Sequence, residues 1–444
     1  MTPSTPLKKV LIITYYWPPA GGPGVQRVLK FAKYLPEFGW QPIVLTVKNG
    51  EYPAIDESMQ NDIPSSCQMY KTASLEPNLF YKKFTGMAVD EKIPTAVLAA
   101  ESTNWKKRLA NWIRLNLFIP DAKIGWIPFA VRKGKKIIKT EKPDVIFSSS
   151  PPPTVHLIAR KLAKWSGIKW VADFRDPWTD IHYYENQNRN KVVKQFDSYL
   201  ERSVLRDADK ISCISRLDIE EDFAKKTDPE KCVNIANGYD EADFRNIKTG
   251  EIKSKKFIIL HIGAVGKERN PLNLFKAICK LGDEKIIMPE TFTLRFIGHV
   301  DELVLQSIKS ENIEPFVDFI SYLPHSEALA KTMLADVMLL LVTQSEKNRR
   351  ILPGKTFEYM RTGKPILALG PENGEVARIL QQTKTGSIFD YQNEEEIFQK
   401  LNDLIRAWKK GKPREFKGDE QIQLFSRKKL TEKLTELFDE MISQ

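Results

Sequence analysis

Cysteine is scarce and scattered in this chain: Cys67, Cys213, Cys232 and Cys279 are the 4 in 444 residues, with no C-x-x-C spacing. That pattern argues against a disulfide framework and a cysteine zinc site, and fits a reducing compartment. Histidine is equally sparse, at 5, and no H-E-x-x-H occurs, which removes the helical zinc-hydrolase arrangement. No stretch of about eighteen apolar residues reads as a membrane span. The apolar run Val10–Tyr16 is too short for one, and its flanks do not resemble a secretory signal. The G-x-G-x-x-G of dinucleotide-binding loops is missing, as is any low-complexity tract. With 42% apolar and 28% charged residues the composition is globular. The expected home is the cytoplasm.

The length exceeds one ordinary core, so two domains of about 200 residues are expected. Short β-branched runs alternate with helical patterns. Strands are predicted at Val10–Tyr15, Pro42–Val47, Val145–Ser149, Trp170–Phe174, Lys210–Ile214 and Cys232–Ile235, with helices at Val25–Phe38, Thr154–Trp165 and Val192–Arg206. A second series starts at Phe257–Ile262 and continues through strands Thr293–Ile297, Val317–Ile320, Val337–Val342 and Pro365–Leu369. Its helices are Leu272–Leu281, Glu302–Ser310, Ser326–Leu334, Lys355–Thr362 and Gly374–Gln381. Such alternation implies an α/β protein with parallel sheets wound on both faces. The polar joint Asn237–Ile252 separates two Rossmann-like domains, 1–236 and 237–425, expected to face a central cleft. A last helix, Ser426–Ile442 within 426–444, is expected to return to the first domain.

The first strand runs into YYWPPAGGPGVQRV, Tyr15 to Val28. Gly21 and Gly22 stand just before a helix, where backbone N–H groups and the helix start favour a phosphate. A tight turn without ligand is the rival account.

Three further segments follow in order: Val233–Phe244 (VNIANGYDEADF), His261–Leu274 (HIGAVGKERNPLNL), and Pro353–Leu367 (PGKTFEYMRTGKPIL) with Gly374-Glu375. Together with the Gly21-Gly22 loop they resemble the family 4 nucleotide-sugar glycosyltransferases, whose fold is GT-B. The resemblance covers nearly the whole chain and is weakest over 50–142. It implies that basic residues after Gly263 hold the donor diphosphate, a leaving group whose growing charge needs cations and helix N-termini. Arg269 stands where the family usually has Lys. Ala264 replaces the Arg that usually follows the glycine, and Lys267 is the substitute second cation. Glu358 matches the carboxylate that takes the ribose hydroxyls, a task suited to a group that accepts two hydrogen bonds. Eight positions earlier, where the family places another glutamate on the transferred sugar, this chain has Arg350. Arg350 and Lys355 are candidates for a phosphate or an acidic sugar; surface salt bridging is the rival. Glu375 opens another helix, and capping that helix is its simplest role.

The acceptor side is expected in the first domain, at VADFRDPWTD, Val171 to Asp180. Asp173, Arg175 and Asp176 are the candidates, with Asp176 for proton removal; an Asp–Arg pair fixing the loop is the alternative. Asp207-Ala208-Asp209 has a metal-binding D-x-D spacing but sits in a solvated connection, so no metal and no cofactor are expected. Between Phe80 and Lys142 the chain carries 14 Lys or Arg against 5 Asp or Glu. Trp105, Leu109, Trp112, Ile113 and Leu117 form a helical stripe there, followed by Lys133, Lys135, Lys136 and Lys139. That is the pattern of a segment drawn to anionic lipid, with an ordinary charged helix face as rival; no nucleic-acid-binding module accompanies it. The expected activity is retaining transfer of a sugar from a nucleotide sugar to a glycan or lipid-linked acceptor in cell-envelope polysaccharide synthesis. A GT-B sugar-nucleotide epimerase and a non-catalytic nucleotide-sugar-binding homologue are the alternatives.

Overall fold

Apolar runs buried on both faces build two separate parallel sheets, because a strand covered by helices on each side has no solvent face to make polar. The structure, a computed structural model, describes residues 7–52, 54–75, 105–180, 189–245, 247, 255–345, 347–411 and 420–443. The chain divides into two compact units: Met1–Ala236 with Arg427–Gln444, and Asn237–Ser426.

Among the described residues the first unit holds a seven-stranded sheet: β1 (Lys8–Ile13), β2 (Trp40–Val47), β3 (Gln68–Thr72), β4 (Val145–Ser150), β5 (Lys169–Phe174), β6 (Lys210–Cys213) and β7 (Cys232–Asn234). They lie in the order β3-β2-β1-β4-β5-β6-β7, all parallel. The second unit holds β8 (Phe257–Ile262), β9 (Phe292–Ile297), β10 (Val317–Ile320), β11 (Val337–Leu341), β12 (Ile366–Leu369) and β13 (Gly386–Phe389). Their order is β10-β9-β8-β11-β12-β13, again parallel. Each sheet reverses its winding once, between β1 and β4 and between β8 and β11. The carboxyl ends of those strands are where such sheets take ligands.

β3 and β13 are absent from the sequence reading. Both are edge strands, less deeply buried than the strands inside the sheets: β3, Gln-Met-Tyr-Lys-Thr, alternates half-buried and exposed, and β13, Gly-Ser-Ile-Phe, is half-buried throughout. Edge positions need no continuous apolar run, so the pattern is weak. Helices Ile127–Glu141 and Glu394–Lys409 add to the predicted elements and pack on the first and second sheets respectively.

One face of the first sheet packs Leu11, Ile13, Ile43 and Ile146 under helices Ile127–Glu141 and Thr154–Ser166. The other packs Val10, Ile12, Val44 and Phe147 under helices Pro23–Tyr34 and Arg427–Ser443. In the last helix Leu430, Leu434, Leu437, Phe438 and Met441 fall on one face at helical spacing and are buried. The Phe438 ring lies 5.1 Å from Trp40 and 6.0 Å from Phe147, both edge-on. The Trp40 indole N–H reaches Asp439 Oδ1 at 3.1 Å.

Phe438→Ala is expected to destabilise the first unit by about 3–5 kcal/mol, the range for truncating a fully buried aromatic. Glu436→Ala, on the exposed side of the same helix, should change stability by less than about 0.5 kcal/mol. Urea unfolding followed by tryptophan fluorescence measures both; equal effects would mean the helix does not complete this core.

Candidate functional site

In the second unit, β8 ends at Ile262, and both of its main-chain groups are taken by one helix, Lys355–Arg361. Lys355 Nζ donates to the Ile262 carbonyl at 2.7 Å, and the Ile262 N–H donates to Tyr359 Oη at 2.9 Å. The spacing of four residues puts Lys355 and Tyr359 on one helix face. Gly263 follows with φ +116°, and a Cβ there would sit 2.7 Å from Lys355 Nζ. Glycine is required by the backbone angle, and a side chain there would also push the Lys355 ammonium aside. Gly298, at the end of β9 with φ +121°, would place a Cβ 3.0 Å from the Gly263 carbonyl oxygen. The two strand ends approach as bare backbone.

Burial and then Arg269 lower the Lys355 ammonium, and Glu358 opposes them, leaving it at about 8. Arg269 closes the turn Lys267–Arg269, its N–H bonded to the Gly266 carbonyl at 2.9 Å. Lys267 opens the same turn and is exposed. Next to Gly263, His261 is fully buried, its Nδ1–H on the Leu339 carbonyl at 2.9 Å, and burial with Lys355 holds it neutral. Glu358 is half-buried, with Oε1 2.9 Å from His325 Nε2. Thus Gly263, Arg269, Lys355 and Glu358 gather at the carboxyl end of β8: two cations, a carboxylate and exposed backbone. An ammonium held with a lowered affinity for its proton, beside a guanidinium, favours an anion.

Arg350 is buried in the turn Lys347–Arg350, whose main chain presses on the next loop: a Cβ on Gly374 would lie 2.7 Å from the Arg349 carbonyl oxygen. Glu375 is fully buried in the first turn of helix Glu375–Thr383 and pairs with Arg378 at 2.8 Å. Its local role is at that helix start, where negative charge is favoured.

The first unit corrects three expectations. Asp173 is not an acceptor ligand. It is fully buried, and Arg27 holds it at two points, Nε to Oδ2 at 3.0 Å and Nη2 to Oδ1 at 2.7 Å. Ser149 and Ser212 each add a hydroxyl at 2.7 Å. Burial raises the carboxyl, but Arg27 with the Ser149 and Ser212 hydroxyls together outweigh it, so the group is held below the ordinary carboxylate range. Arg175 is likewise occupied, donating to the carbonyls of Ser150 at 2.7 Å, Pro151 at 2.6 Å, and Gly24. The Gly21 N–H is bonded to the Ala54 carbonyl at 2.8 Å and does not face a ligand. Gly22, at φ 92°, caps helix Pro23–Tyr34. Among the described carboxylates of the loop, Asp173 is buried, Asp180 half-buried and Asp176 exposed.

His156 is buried with Nδ1 2.8 Å from Ser148 Oγ, and burial lowers it to about 3, so it is a neutral core group. Asp207 pairs with Arg160, Lys164 and Arg206, while Asp209 accepts the Trp170 N–H at 2.9 Å. Both stand at the amino ends of β5 and β6, the edge away from Ser149 and Ser150.

Sequence reasoning overlooked Arg27, Ser212, Tyr359, Gly298 and His325. A signal existed for Gly298: β9 ends Phe-Ile-Gly as β8 ends His-Ile-Gly. Tyr359 adjoins Glu358, but nothing in the sequence marks its hydroxyl as the partner of a strand end.

Residues 95–243 match the family model Glycosyltransferase Family 4, and residues 243–417 match Glycosyl transferases group 1. The Pseudomonas aeruginosa protein named "Probable glycosyltransferase WbjE" is 26% identical over 269 residues, 56% of this chain and 62% of that relative. The match therefore spans under two thirds of that relative's length. A crystal structure of a Rickettsia africae glycosyltransferase superposes with TM-score 0.61 and 15% identity over 99% of each chain. Anabaena HepE in complex with UDP-glucose superposes with TM-score 0.61 and 12% identity, over 97% of this chain and 99% of that one. At those identities the structural likeness is one of fold. The two family models run end to end over most of the sequence, and the chain belongs to the family 4 glycosyltransferases, with the GT-B fold.

Proposed function

We propose that this protein transfers a sugar from a nucleotide-sugar donor to a glycan or lipid-linked saccharide in cell-envelope polysaccharide synthesis. The observation that carries this is the Lys355–Gly263–Arg269–Glu358 constellation at the carboxyl end of β8. Lys355 and Arg269 would hold the diphosphate, with Lys267 at the rim, and Glu358 the ribose diol. The UDP-glucose of the HepE complex supports a nucleotide sugar as donor. The two cations and the Gly263 backbone supply the electrostatics of the leaving group, without a metal or cofactor. Family resemblance supports retention of anomeric configuration, by front-side displacement in which the leaving phosphate assists. Asp176 remains the proposed acceptor-side base, and Arg350 leaves the donor sugar open to an acidic one.

Assays with labelled UDP, GDP, ADP and dTDP sugars, with and without lipid-linked acceptor, test this proposal. Transfer is expected with one donor class and to survive EDTA. Arg269→Ala and Glu358→Ala should each weaken nucleoside-diphosphate binding roughly ten- to a hundred-fold. Epimerised donor without transfer would favour the epimerase, and binding without turnover the non-catalytic homologue.

Lys355 makes the same site sensitive to pH. Between about 8 and its ordinary value near 10.4, the unfolded chain holds a proton at this residue that the folded one has lost. Stability therefore rises with pH across that window, and the charged ammonium costs the fold something below it. A diphosphate against Nζ restores the proton. Binding near pH 8 should take up protons, and affinity should fall as pH rises further. Calorimetry in buffers of different ionisation enthalpy measures the uptake; Lys355→Met should remove it.

A lipid-linked acceptor is favoured by one surface of the first unit. Of the basic stretch, 80–104 and the side chains of Trp105, Lys106 and Lys107 lie outside the described residues. Helix Trp105–Leu117 exposes Leu109, Trp112 and Leu117. The N–H of Asn190 bonds Asn116 Oδ1 at 2.8 Å, and helix Lys191–Asp207, starting there, exposes Val192, Phe196 and Tyr199 at helical spacing. Arg108, Lys191, Lys194 and Arg202 are exposed around them. Lys133, Lys135 and Lys139 instead lie over the rings of Tyr70 and Trp165. We expect co-sedimentation with anionic vesicles, weakened by salt and by joint Trp112→Glu and Phe196→Glu substitution, with nucleotide affinity unchanged. Wild type left in the supernatant at low salt would favour a soluble acceptor.

A further inference from the structure

Lys355 and Glu358 stand three residues apart on one helix, the spacing at which opposite charges ordinarily meet. Here they do not pair. Lys355 Nζ turns to the Ile262 carbonyl at 2.7 Å, and Glu358 Oε1 turns to His325 Nε2 at 2.9 Å. His325 is the first residue of helix His325–Leu334, which follows β10 and the loop 321–324. The imidazole Nε2–H is the donor to the carboxylate, whose oxygens can only accept.

One donor on Oε1 leaves Oε2 and the second lone pair of Oε1 open, which is what a vicinal diol requires. Lys355 is held separately by the Ile262 carbonyl, so the place of the ammonium does not depend on the imidazole. Two charges that would cancel are held as two separate recognition elements.

We infer that His325 is a positioning residue for the donor ribose: it fixes the Glu358 carboxylate for the diol. This rests on the reading of Glu358 as the ribose ligand. His325 touches neither the reacting atoms nor the phosphates in this role, so its loss should show only where a diol is present.

The test is calorimetry with whichever of UDP, GDP and ADP binds best, its 2′,3′-dideoxy analogue, and inorganic pyrophosphate. His325→Ala should weaken the ribonucleotide about tenfold, the typical effect of one hydrogen bond to a charged group. It should leave the dideoxy analogue and pyrophosphate at wild-type affinity. His325→Gln, which keeps an N–H donor, should stay within about threefold of wild type. In a Glu358→Ala background, His325→Ala should add nothing, since the coupling runs through that carboxylate. Equal weakening of all three ligands would overturn the inference in favour of a role in seating the helix. Weakening by Glu358→Ala but not by His325→Ala would overturn it while leaving the ribose contact standing. No effect of either substitution would overturn both.

Discussion

A parallel sheet ends, at its carboxyl edge, in carbonyl and amide groups that the next strand no longer pairs, and each unit of this protein answers that constraint with cationic side chains. Buried main-chain groups left without partners cost about as much as lost hydrogen bonds, so the edge must be satisfied locally. In the first unit Arg27 takes the carbonyls of Ile235 and Ala236, both at 2.8 Å, and Arg175 takes those of Ser150, Pro151 and Gly24. In the second, Lys355 takes Ile262 and Tyr359 takes its N–H. The chemistry differs in what is left over. Arg175 is spent on backbone and Arg27 on backbone and Asp173, while an ammonium with three protons has used one. The same structural need leaves the first edge saturated and the second with unspent donors.

The Asp173 network shows why a polar run at a strand end need not contact ligand. Removing a carboxylate and a guanidinium from water is expensive, and it is tolerated only when every lone pair and proton finds a partner. Arg27, Ser149 and Ser212 supply four hydrogen bonds to two oxygens. They come from the first helix, β4 and β6, so the pair joins elements far apart in sequence. In the second unit, by contrast, Lys355 is kept in a setting that burial and Arg269 make unfavourable. That residual strain is what an anion would relieve.

The strands inside the sheets were legible to within a residue or two because double-sided burial writes itself as an apolar run: β8 was read end to end and β9 to within one residue. Of the four edge strands β7 and β10 were read, while β3, Gln-Met-Tyr-Lys-Thr, and β13, Gly-Ser-Ile-Phe, escaped because neither carries an apolar run. Helix Ile127–Glu141 escaped because its lysines and arginine drew attention to charge, although Ala130, Ile137 and Ile138 mark a buried face. At the site, Gly263 was readable because a glycine at a strand end in a known motif has few other uses. Asp173 and Arg175 were misread because sequence shows the residue types at a strand end but not which way they turn. The partner that decides Asp173, Arg27, is 146 positions away, a separation no local pattern spans.

The helix Arg427–Ser443 completes a core begun by β1 and β2, with the whole of the second unit between them in the chain. The first unit is thus discontinuous, and the second is in effect an insertion within it. During synthesis the second unit can reach its native pairing as soon as its own residues are available, because its contacts are internal. The first must wait, holding Val10, Ile12, Trp40 and Val44 uncovered until more than four hundred residues have been made. Closing such a distance carries a large loop entropy and slows the step that needs it. Exposed apolar surface of that kind is prone to association while it waits. The order in which the two halves mature is therefore the reverse of the order in which they are written.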